Sequence, residues 1–281
     1  VNYTDCGIVA SLDNFKWFDK ENGAWALQVI ERNGKYYMYC PIHGNGIAVL
    51  VADSPYGPFE DPLGHPLAWQ KEHWYDIDPS PFIDDDGQAY LYWGNPRPYY
   101  VKLNRDMISY KGGIVRLEPP TDYQEGPWIF KRNGLYYMAF ASTCCPEGIG
   151  YAVAHSPEGP WEAKGDIMPH TEKSRGNHPG IVEFQGQWYV YGLNYDVWRT
   201  QLQQQGKEYY HSERRSVGVA EMTFRPDGTI EPIPYWNPEG VKQRRWVCPF
   251  QRVQAETMAR GEWLRTAALG ERNMVVTEVN D

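Results

Sequence analysis

Two copies of one segment reveal how this 281-residue chain is organised. The first copy reads Ile30-Glu31-Arg32-Asn33-Gly34-Lys35-Tyr36-Tyr37-Met38-Tyr39, and the second reads Ile129-Phe130-Lys131-Arg132-Asn133-Gly134-Leu135-Tyr136-Tyr137-Met138. In each copy a strand-like run enters an Asn-Gly dipeptide and a tyrosine-rich run leaves it, which is the sequence signature of a β-hairpin. Looser copies occupy residues 82–93 and 181–191. The pattern predicts four related hairpins with tight turns.

The turns recur at a nearly constant interval. Gly34, Gly87, Gly134 and Gly186 are 53, 47 and 52 residues apart. A period of about 50 residues, with roughly four strands in each repeat, is typical of the blades of a β-propeller. Helical periodicity is scarce before residue 250, and residues 2–5 resemble the outer strand of an earlier repeat. We therefore predict an all-β fold, a five-bladed β-propeller with an incomplete first blade.

Composition excludes several classes of function. The 27 basic and 36 acidic residues give a net charge of −9, and no basic run is present, which argues against nucleic acid or an anionic membrane as a partner. No apolar run approaches the roughly 18 residues of a membrane span. The five cysteines, with Cys144 and Cys145 adjacent, fit neither a zinc spacing nor a disulfide framework. Abundant aromatic rings beside carboxylates are typical of sugar-binding clefts.

The repeat also predicts a site. Trp25, Asp78 and Glu125 each lie nine residues before a turn glycine, and His178 lies eight residues before the last one. Equivalent positions in successive blades face the same axis at similar depth. We expect an aromatic ring, two carboxyl groups and an imidazole to converge at one mouth of the central channel.

The two carboxyl groups suit acid and base chemistry. Glycoside hydrolysis with inversion needs a carboxyl pair about 6.5–9.5 Å apart, and unequal surroundings separate the two pKa values. Glu125 precedes an apolar Gly-Pro-Trp segment, so we expect burial to raise the pKa of Glu125. Structural alternatives stay open: a solvated turn carboxylate for Glu125, an aspartate binding local amides for Asp78, and a core histidine for His178.

Two further groups of residues have alternative interpretations. The run Asp84-Asp85-Asp86-Gly87 sits at a hairpin turn, so turn chemistry explains it better than a calcium loop. Several tryptophans are candidate sugar platforms, although at least half are expected in the core. They are Trp25, Trp74, Trp93, Trp128 and Trp198.

In the order and spacing of their motifs, residues 1–240 resemble glycoside hydrolase family 43, the five-bladed propeller enzymes that remove arabinose and xylose from plant cell-wall polysaccharides. The motifs are Ala24-Trp25-Ala26, Gln28-Val29-Ile30-Glu31-Arg32-Asn33-Gly34, Asp78-Pro79-Ser80, Asp84-Asp85-Asp86-Gly87, Glu125-Gly126-Pro127, Gly176-Asn177-His178-Pro179 and Arg214-Arg215-Ser216-Val217.

This resemblance implies a role for each site residue. Glu125 is similar to the general acid, and Asp78 to the aspartate that tunes its pKa and orients the substrate. His178 resembles an axial histidine that contacts a calcium or sodium ion through water. Arg215, in preference to Arg214, resembles the arginine that contacts the sugar. From the aromatic content rather than from the resemblance, Trp25, Trp74 and Trp128 are the rings expected to contact the sugar, and no organic cofactor is expected.

One element of the family pattern has no match. The family's base is an aspartate at the start of the first blade's inner strand, which the repeat places about 30 residues before Tyr3. Asp5, Asp13 and Asp19 fall elsewhere in the pattern. Because a general base contributes typically 10²–10⁴ in rate, we expect impaired activity. The unpaired blade edge is expected to favour self-association.

The last 40 residues have a different character. We predict a catalytic propeller over residues 1–240 and, over 241–281, a linker and the beginning of a β-sandwich module. Residues 252–258 and 273–281 resemble the opening of a family 6 carbohydrate-binding module. Such a modular organisation suggests a bacterial protein that is secreted or periplasmic, whose signal segment is not present in the printed chain.

The leading functional hypothesis is an inverting exo-acting α-L-arabinofuranosidase or β-D-xylosidase. Its substrates would be arabinose- or xylose-containing oligosaccharides and polysaccharides, and Gln28 slightly favours the arabinofuranosidase branch. An endo-arabinanase is the alternative within the same class. A catalytically silent, carbohydrate-binding propeller is the alternative from a different class.

Overall fold

A computed structural model describes most of the chain. The described residues are 6–18, 23–71, 75–142, 147–170, 178–212, 214–237, 241, 264–268 and 274–279. Strands dominate them, and the helical elements among them are a 3₁₀ turn at Leu12–Asn14 and the helix α1 at Asp196–Gln204. The prediction of an all-β fold is confirmed. The chain divides into two compact units, Val1–Val241 and Lys242–Asp281.

The first unit contains four antiparallel sheets, each built from strands that follow one another along the chain. The first sheet contains β1 (Gln28–Arg32), β2 (Lys35–Pro41) and β3 (Ile47–Ala52), and the second contains β4 (Ser80–Ile83), β5 (Ala89–Trp93), β6 (Tyr99–Leu103) and β7 (Tyr110–Arg116). The third contains β8 (Tyr123–Arg132), β9 (Leu135–Ser142), β10 (Gly148–Ala154) and β11 (Glu162–Met168), and the fourth contains β12 (Gly180–Phe184), β13 (Gln187–Asn194) and β14 (Ser216–Met222).

The first strands of the four sheets are neighbours in space. β1 contacts β4, β4 contacts β8, and β8 contacts β12. The sheets therefore succeed one another in chain order around these strands, and residues just before each first strand lie at a common end. The count of five blades stays a prediction.

The predicted hairpins are present with the predicted turns. β1 pairs with β2, β4 with β5, β8 with β9 and β12 with β13, all antiparallel. The four turn glycines have φ between +73° and +82°, where a side chain is unfavourable. Asn33 and Asn133 also have positive φ, which is the backbone of a two-residue turn matched to the twist of the strands.

Most of the aromatic residues fill the space between sheets. One apolar cluster joins the first and second sheets through Tyr39, Leu91 and Trp93, which are fully buried. Similar clusters lie between the second and third sheets and between the third and fourth. Large rings contribute much buried area per residue, so aromatic content here reflects packing between sheets. Trp93 and Trp198 are core residues.

The second unit contains one described hairpin, in which β15 (Leu264–Ala268) pairs with β16 (Met274–Val279). The carbohydrate-binding module predicted for this region stays a prediction. Among the described residues of the whole chain, no helix has the length and apolar character needed to cross a membrane.

Candidate active site

A cavity of about 750 Å³ lies at the common end where the first strands begin. Trp25, Asp78, Glu125 and His178 all line it, so the structure brings together the four positions that the repeat selected, one from each sheet. The remaining lining residues are Ala26, Ile77, Gly180, Tyr191, Gly192, Leu193, Arg215 and Val217.

Asp78 is buried just before β4 and ties two sheets together. Its backbone has φ +59°, a left-handed conformation that aspartate tolerates better than most residues and that concentrates at functional sites. Its Oδ2 accepts a hydrogen bond of 3.1 Å from the backbone N–H of Gly126, in the third sheet. The aspartate therefore fixes the backbone next to Glu125, as well as presenting a carboxyl group to the cavity.

Gly126 allows a close approach between the third and fourth sheets. It has φ +62°, and a Cβ atom at this position would lie 2.9 Å from Cγ of His178. A side chain would displace the imidazole or distort the strand. Glycine at this position is what lets His178 reach Glu125.

Glu125 receives a hydrogen-bond partner on each carboxylate oxygen. Nε2 of His178 lies 2.9 Å from Oε1, and the Asn95 amide donates to Oε2. Nε2 of His178 also lies 3.8 Å from Oδ2 of Asp78. The imidazole is therefore shared between the two carboxylates and held more closely by Glu125.

The three groups perturb one another's protonation. Burial raises the pKa of Asp78 to about 6, with the neighbouring Glu125 charge adding to this effect. Burial alone would lower the pKa of His178, but the charges of Asp78 and Glu125 raise it to about 9. The imidazole is therefore protonated at neutral pH, and its Nε2–H donates to Glu125.

The expected rise in the pKa of Glu125 is wrong for the site as it stands. Burial does raise this pKa, but the hydrogen bond and charge of His178, the Asn95 amide and the charge of Arg215 together lower it. The sequence around Glu125 revealed the apolar neighbours, whereas the partners that stabilise the carboxylate come from other sheets. Within the cluster, Asp78 has the raised carboxyl pKa.

The separation of the carboxyl groups limits their chemistry. One oxygen of Asp78 and one of Glu125 lie within 4.8 Å of each other. An inverting acid and base pair needs about 6.5–9.5 Å between its carboxyl groups to admit a water. Asp78 and Glu125 are close enough for the charge of one to shift the pKa of the other. The base of an inverting reaction would have to be a third carboxylate.

The cluster of Asp78, Glu125 and His178 has the residue types of a metal site, but its donors fit a proton better than a cation. Calcium takes six to eight oxygen ligands, whereas this cluster offers two carboxylates and one imidazole. Nε2 of His178 lies 2.9 Å from Oε1 of Glu125, so a directly bound cation would have to replace this hydrogen bond. Direct coordination by the three residues is therefore disfavoured.

The predicted sugar-contacting residues lie in different surroundings. Trp25 lines the cavity and packs on His43 with ring centroids 4.5 Å apart, leaving 36% of Trp25 exposed. Trp128 lines a separate cavity of about 100 Å³ beside the site and donates its indole N–H to the carbonyl of Ile181. Trp74 lies outside the described residues, as do Cys144 and Cys145.

The two neighbouring arginines separate clearly. Arg215 lines the cavity, and its charge lowers the pKa of Glu125. Arg214 is exposed, and its guanidinium lies 4.6 Å from the ring centroid of Trp198 in α1. The geometry therefore supports the preference for Arg215.

The acidic run at residues 84–86 forms a turn, as predicted. The Gly87 N–H donates to the carbonyl of Asp84 at 2.8 Å, which closes the β4–β5 hairpin. The Asp84 carboxylate pairs with Lys131 at 2.6 Å, so this run binds a neighbouring sheet.

The sequence interpretation missed Asn95, Tyr191 and Val217. Tyr191 and Val217 belong to β13 and β14 and line the cavity wall, while Asn95 follows β5 and contacts Glu125. The available signal for Asn95 was its place in a Gly-Asn-Pro turn that ends the second strand of a hairpin. In an antiparallel hairpin that end lies beside the start of the first strand, where Asp78 had been placed.

Comparison with known proteins gives one matching family and several similar proteins. The family is Glycosyl hydrolases family 43, which matches residues 1–230. An arabinoxylan arabinofuranohydrolase of Paenibacillus polymyxa is 33% identical over 92% of this chain and 46% of the relative, and one of Bacillus subtilis strain 168 is 31% identical over 92% and 57%. The chain spans about half the length of these curated relatives.

Solved structures give the same result. An α-L-arabinofuranosidase from Clostridium thermocellum superposes with a TM-score of 0.64 and 35% identity, covering 75% of this chain and 72% of that one. A Xanthomonas citri enzyme complexed with xylotriose superposes with a TM-score of 0.69 and 25% identity, covering 85% and 80%.

Proposed function

The chain belongs to glycosyl hydrolase family 43, and from that premise we propose that it releases terminal arabinose or xylose from plant cell-wall saccharides. The observation that carries this proposal is the cavity in which Glu125 and Asp78 lie together beside His178, Arg215 and Trp25. The names of the similar proteins support the substrate class, and the five-bladed propeller is proposed on the same basis.

In the proposed reaction Glu125 protonates the glycosidic oxygen, so that the saccharide carrying this oxygen departs as a neutral alcohol. Water adds to the anomeric carbon of the terminal pentose from the opposite face and gives its proton to a third carboxylate. Without a ligand, the shared proton resides on His178, 2.9 Å from Oε1 of Glu125. A sugar that fills the cavity excludes water, and loss of water disfavours the charged forms of both groups. Substrate binding therefore moves the proton from Nε2 of His178 to Glu125, which can then act as a general acid.

Asp78 has a separate role in this proposal. Its Oδ2 already accepts the Gly126 N–H and lies 3.8 Å from Nε2 of His178. A second negative charge beside Glu125 disfavours loss of the Glu125 proton. We assign Asp78 to tuning the acid and Arg215, together with Trp25, to holding the sugar.

The test is a substrate panel. Nitrophenyl α-L-arabinofuranoside, nitrophenyl β-D-xyloside, arabinoxylan and linear arabinan are incubated with the chain, and proton NMR identifies the first anomer released. Inverted arabinose or xylose from chain ends supports the proposal. Internal cleavage of arabinan supports the endo-arabinanase alternative. Cys6→Ser, at an exposed cysteine, is the control variant and is expected to keep full activity.

A second candidate function is sugar binding without turnover. Of the described residues that line the cavity, Asp78 and Glu125 carry carboxylates, and they lie too close together to act as an inverting acid and base pair. A site that lacks the base retains the aromatic and charged walls that bind sugar. Calorimetric binding of xylotriose or arabinose with no product after long incubation would favour this candidate.

The remaining proposals concern the surroundings of the enzyme. We propose that an axial calcium or sodium ion would contact His178 through water only, because Nε2 is already hydrogen-bonded to Glu125 at 2.9 Å. Isothermal titration with calcium of the His178→Gln variant and of the unsubstituted chain tests this arrangement, which predicts that the variant binds calcium more weakly but still binds it.

Location outside the cytoplasm and self-association over an open sheet edge stay predictions. Light scattering measures the self-association.

A further inference from the structure

The turn after β5 carries a carboxamide that lies between two side chains of the third sheet. The Asn95 amide nitrogen donates to Oε2 of Glu125, and its carbonyl oxygen Oδ1 accepts a 3.0 Å hydrogen bond from the Gln124 side-chain amide. Asn95 belongs to the second sheet, so this contact crosses a sheet boundary. Neither Asn95 nor Gln124 has been used in the reaction described above.

The bond from Gln124 fixes which way the Asn95 amide faces. A carboxamide has its acceptor oxygen and donor nitrogen on opposite branches, so an oxygen occupied by Gln124 directs the nitrogen toward Glu125. Reversal of the group would place its oxygen against the carboxylate and leave two acceptors facing each other. The hydrogen-bond pattern therefore permits one orientation.

The backbone that carries Asn95 is itself held on both sides. The Gly94 N–H donates to the carbonyl of Ile77 at 2.9 Å, next to Asp78, and the Gly94 carbonyl accepts from the hydroxyl of buried Tyr123 at 2.7 Å. Gly94 has φ +122°, and a Cβ atom there would lie 2.1 Å from the carbonyl oxygen of Arg97. The turn is therefore tied to the segments that carry both carboxyl groups.

We propose that Asn95, oriented by Gln124, is a positioning residue for Glu125. It fixes the rotation of the carboxyl group so that Oε1 faces His178 and the acid presents the same edge to the cavity in every turnover. This inference rests on the proposed function, in which Glu125 is the general acid. Asn95 acts through Glu125 and is assigned no contact with the sugar.

The positioning role predicts a selective loss of rate. Dinitrophenolate is a good leaving group and departs from its glycoside without being protonated. Phenolate is a poorer leaving group and has to be protonated as it departs. A misplaced acid therefore lowers kcat on the phenyl glycoside and leaves kcat on the dinitrophenyl glycoside nearly unchanged. Since misplacement by about 1 Å can cost on the order of 100-fold, we expect Asn95→Ala to lower kcat on phenyl arabinofuranoside by about tenfold to 100-fold.

The experiment compares three variants with the unsubstituted chain on dinitrophenyl and phenyl α-L-arabinofuranosides. Asn95→Ala is expected to change kcat on the dinitrophenyl substrate by less than about twofold, with KM little changed on either. Gln124→Ala is expected to lower kcat on the phenyl substrate by a smaller factor than Asn95→Ala does. Asn104→Ala, which removes a carboxamide bonded to Ser109 in a turn of the same sheet, is the control and should leave both rates unchanged.

Crystal structures of the chain with and without Asn95→Ala provide a readout that needs no turnover. A rotated or displaced Glu125 carboxyl supports the inference. An unmoved carboxyl, or equal loss on both substrates, overturns it. If Glu125→Gln shows no preference for the better leaving group, or if no substrate turns over, the proposed function fails, and the crystallographic comparison still decides the positioning role.

Discussion

The hairpins formed by the first two strands of each of the four sheets have two very different ends. At the turn end the same residue recurs, as Gly34, Gly87, Gly134 and Gly186, each in the left-handed backbone region. At the cavity end the equivalent positions carry four residue types, Trp25, Asp78, Glu125 and His178. The turn end is restricted by backbone geometry, which every repeat shares, whereas the cavity end is free to differ because its role is chemical.

The two ends are not fully distinct, because positive φ also occurs at the cavity end. Asp78 and Gly126 also have positive φ, at +59° and +62°. There the unusual backbone brings side chains of neighbouring sheets together, whereas at the turns it reverses the chain. The same conformational feature therefore serves the fold at one end and the site at the other, and substitutions can separate the two.

The largest expected effect is at Glu125. Glu125→Gln removes the proposed proton donor while keeping the shape, so kcat on phenyl arabinofuranoside should fall by about 10²–10⁴ with an unchanged circular dichroism spectrum. The matched control is Glu183→Gln, at an exposed position in β12. Equal activity of the two variants would contradict the assignment of chemistry to the cavity end.

The next effect is the pH dependence that His178 gives to stability. Its pKa is raised from 6.5 to about 9, so its contribution is complete below pH 6.5 and is lost as the pH rises through 9.

Replacement of the imidazole should remove that slope. Urea unfolding between pH 8 and 9 is expected to show a steeper fall in stability for the unsubstituted chain than for His178→Gln. In the variant, loss of the imidazolium charge raises the pKa of Asp78 above its value of about 6, so lower pH is left out of the comparison. Identical slopes in the two proteins would show that the imidazolium is not stabilised by the carboxylates.

A smaller effect is expected from Gly126→Ala. The added Cβ would lie 2.9 Å from His178, and alanine is unfavourable in the left-handed backbone conformation of this position. We therefore expect about 2 kcal/mol of destabilisation together with reduced kcat. Gly113→Ala, in β7, where a Cβ meets no atom within 4 Å, is the control and should change neither quantity measurably. Loss of stability with full activity would place Gly126 with the turn glycines.

The smallest effect is expected at a turn. A Cβ at Gly134 meets open space, so Gly134→Ala adds only backbone strain of about 1 kcal/mol. For a domain of this size that lowers Tm by about 2–4 °C, with kcat at 25 °C unchanged. Gly134→Asn should cost less, because asparagine tolerates positive φ. A fall in kcat would show that the two ends are not independent.

The sequence predicted the features that local physics determines. The hairpins followed from Asn-Gly turns and tyrosine-rich strands, and the convergence of Asp78, Glu125 and His178 followed from their constant distance to the turns. The lowered pKa of Glu125 did not follow, because His178, Asn95 and Arg215 reach it from three separate segments. Trp128 donates its indole N–H to Ile181 and so links two sheets, a contact that composition could not predict, and its contact with a sugar stays a prediction.

The bond from the Gly126 N–H to the buried Asp78 carboxylate also provides a spectroscopic probe. The backbone amides that pair between the described strands bond within one sheet, so their deuterium exchange measures the fraying of that sheet. The Gly126 amide is held across a boundary, and its exchange measures how often the second and third sheets separate. We expect that opening to require less free energy than global unfolding, and ligand in the cavity to slow it.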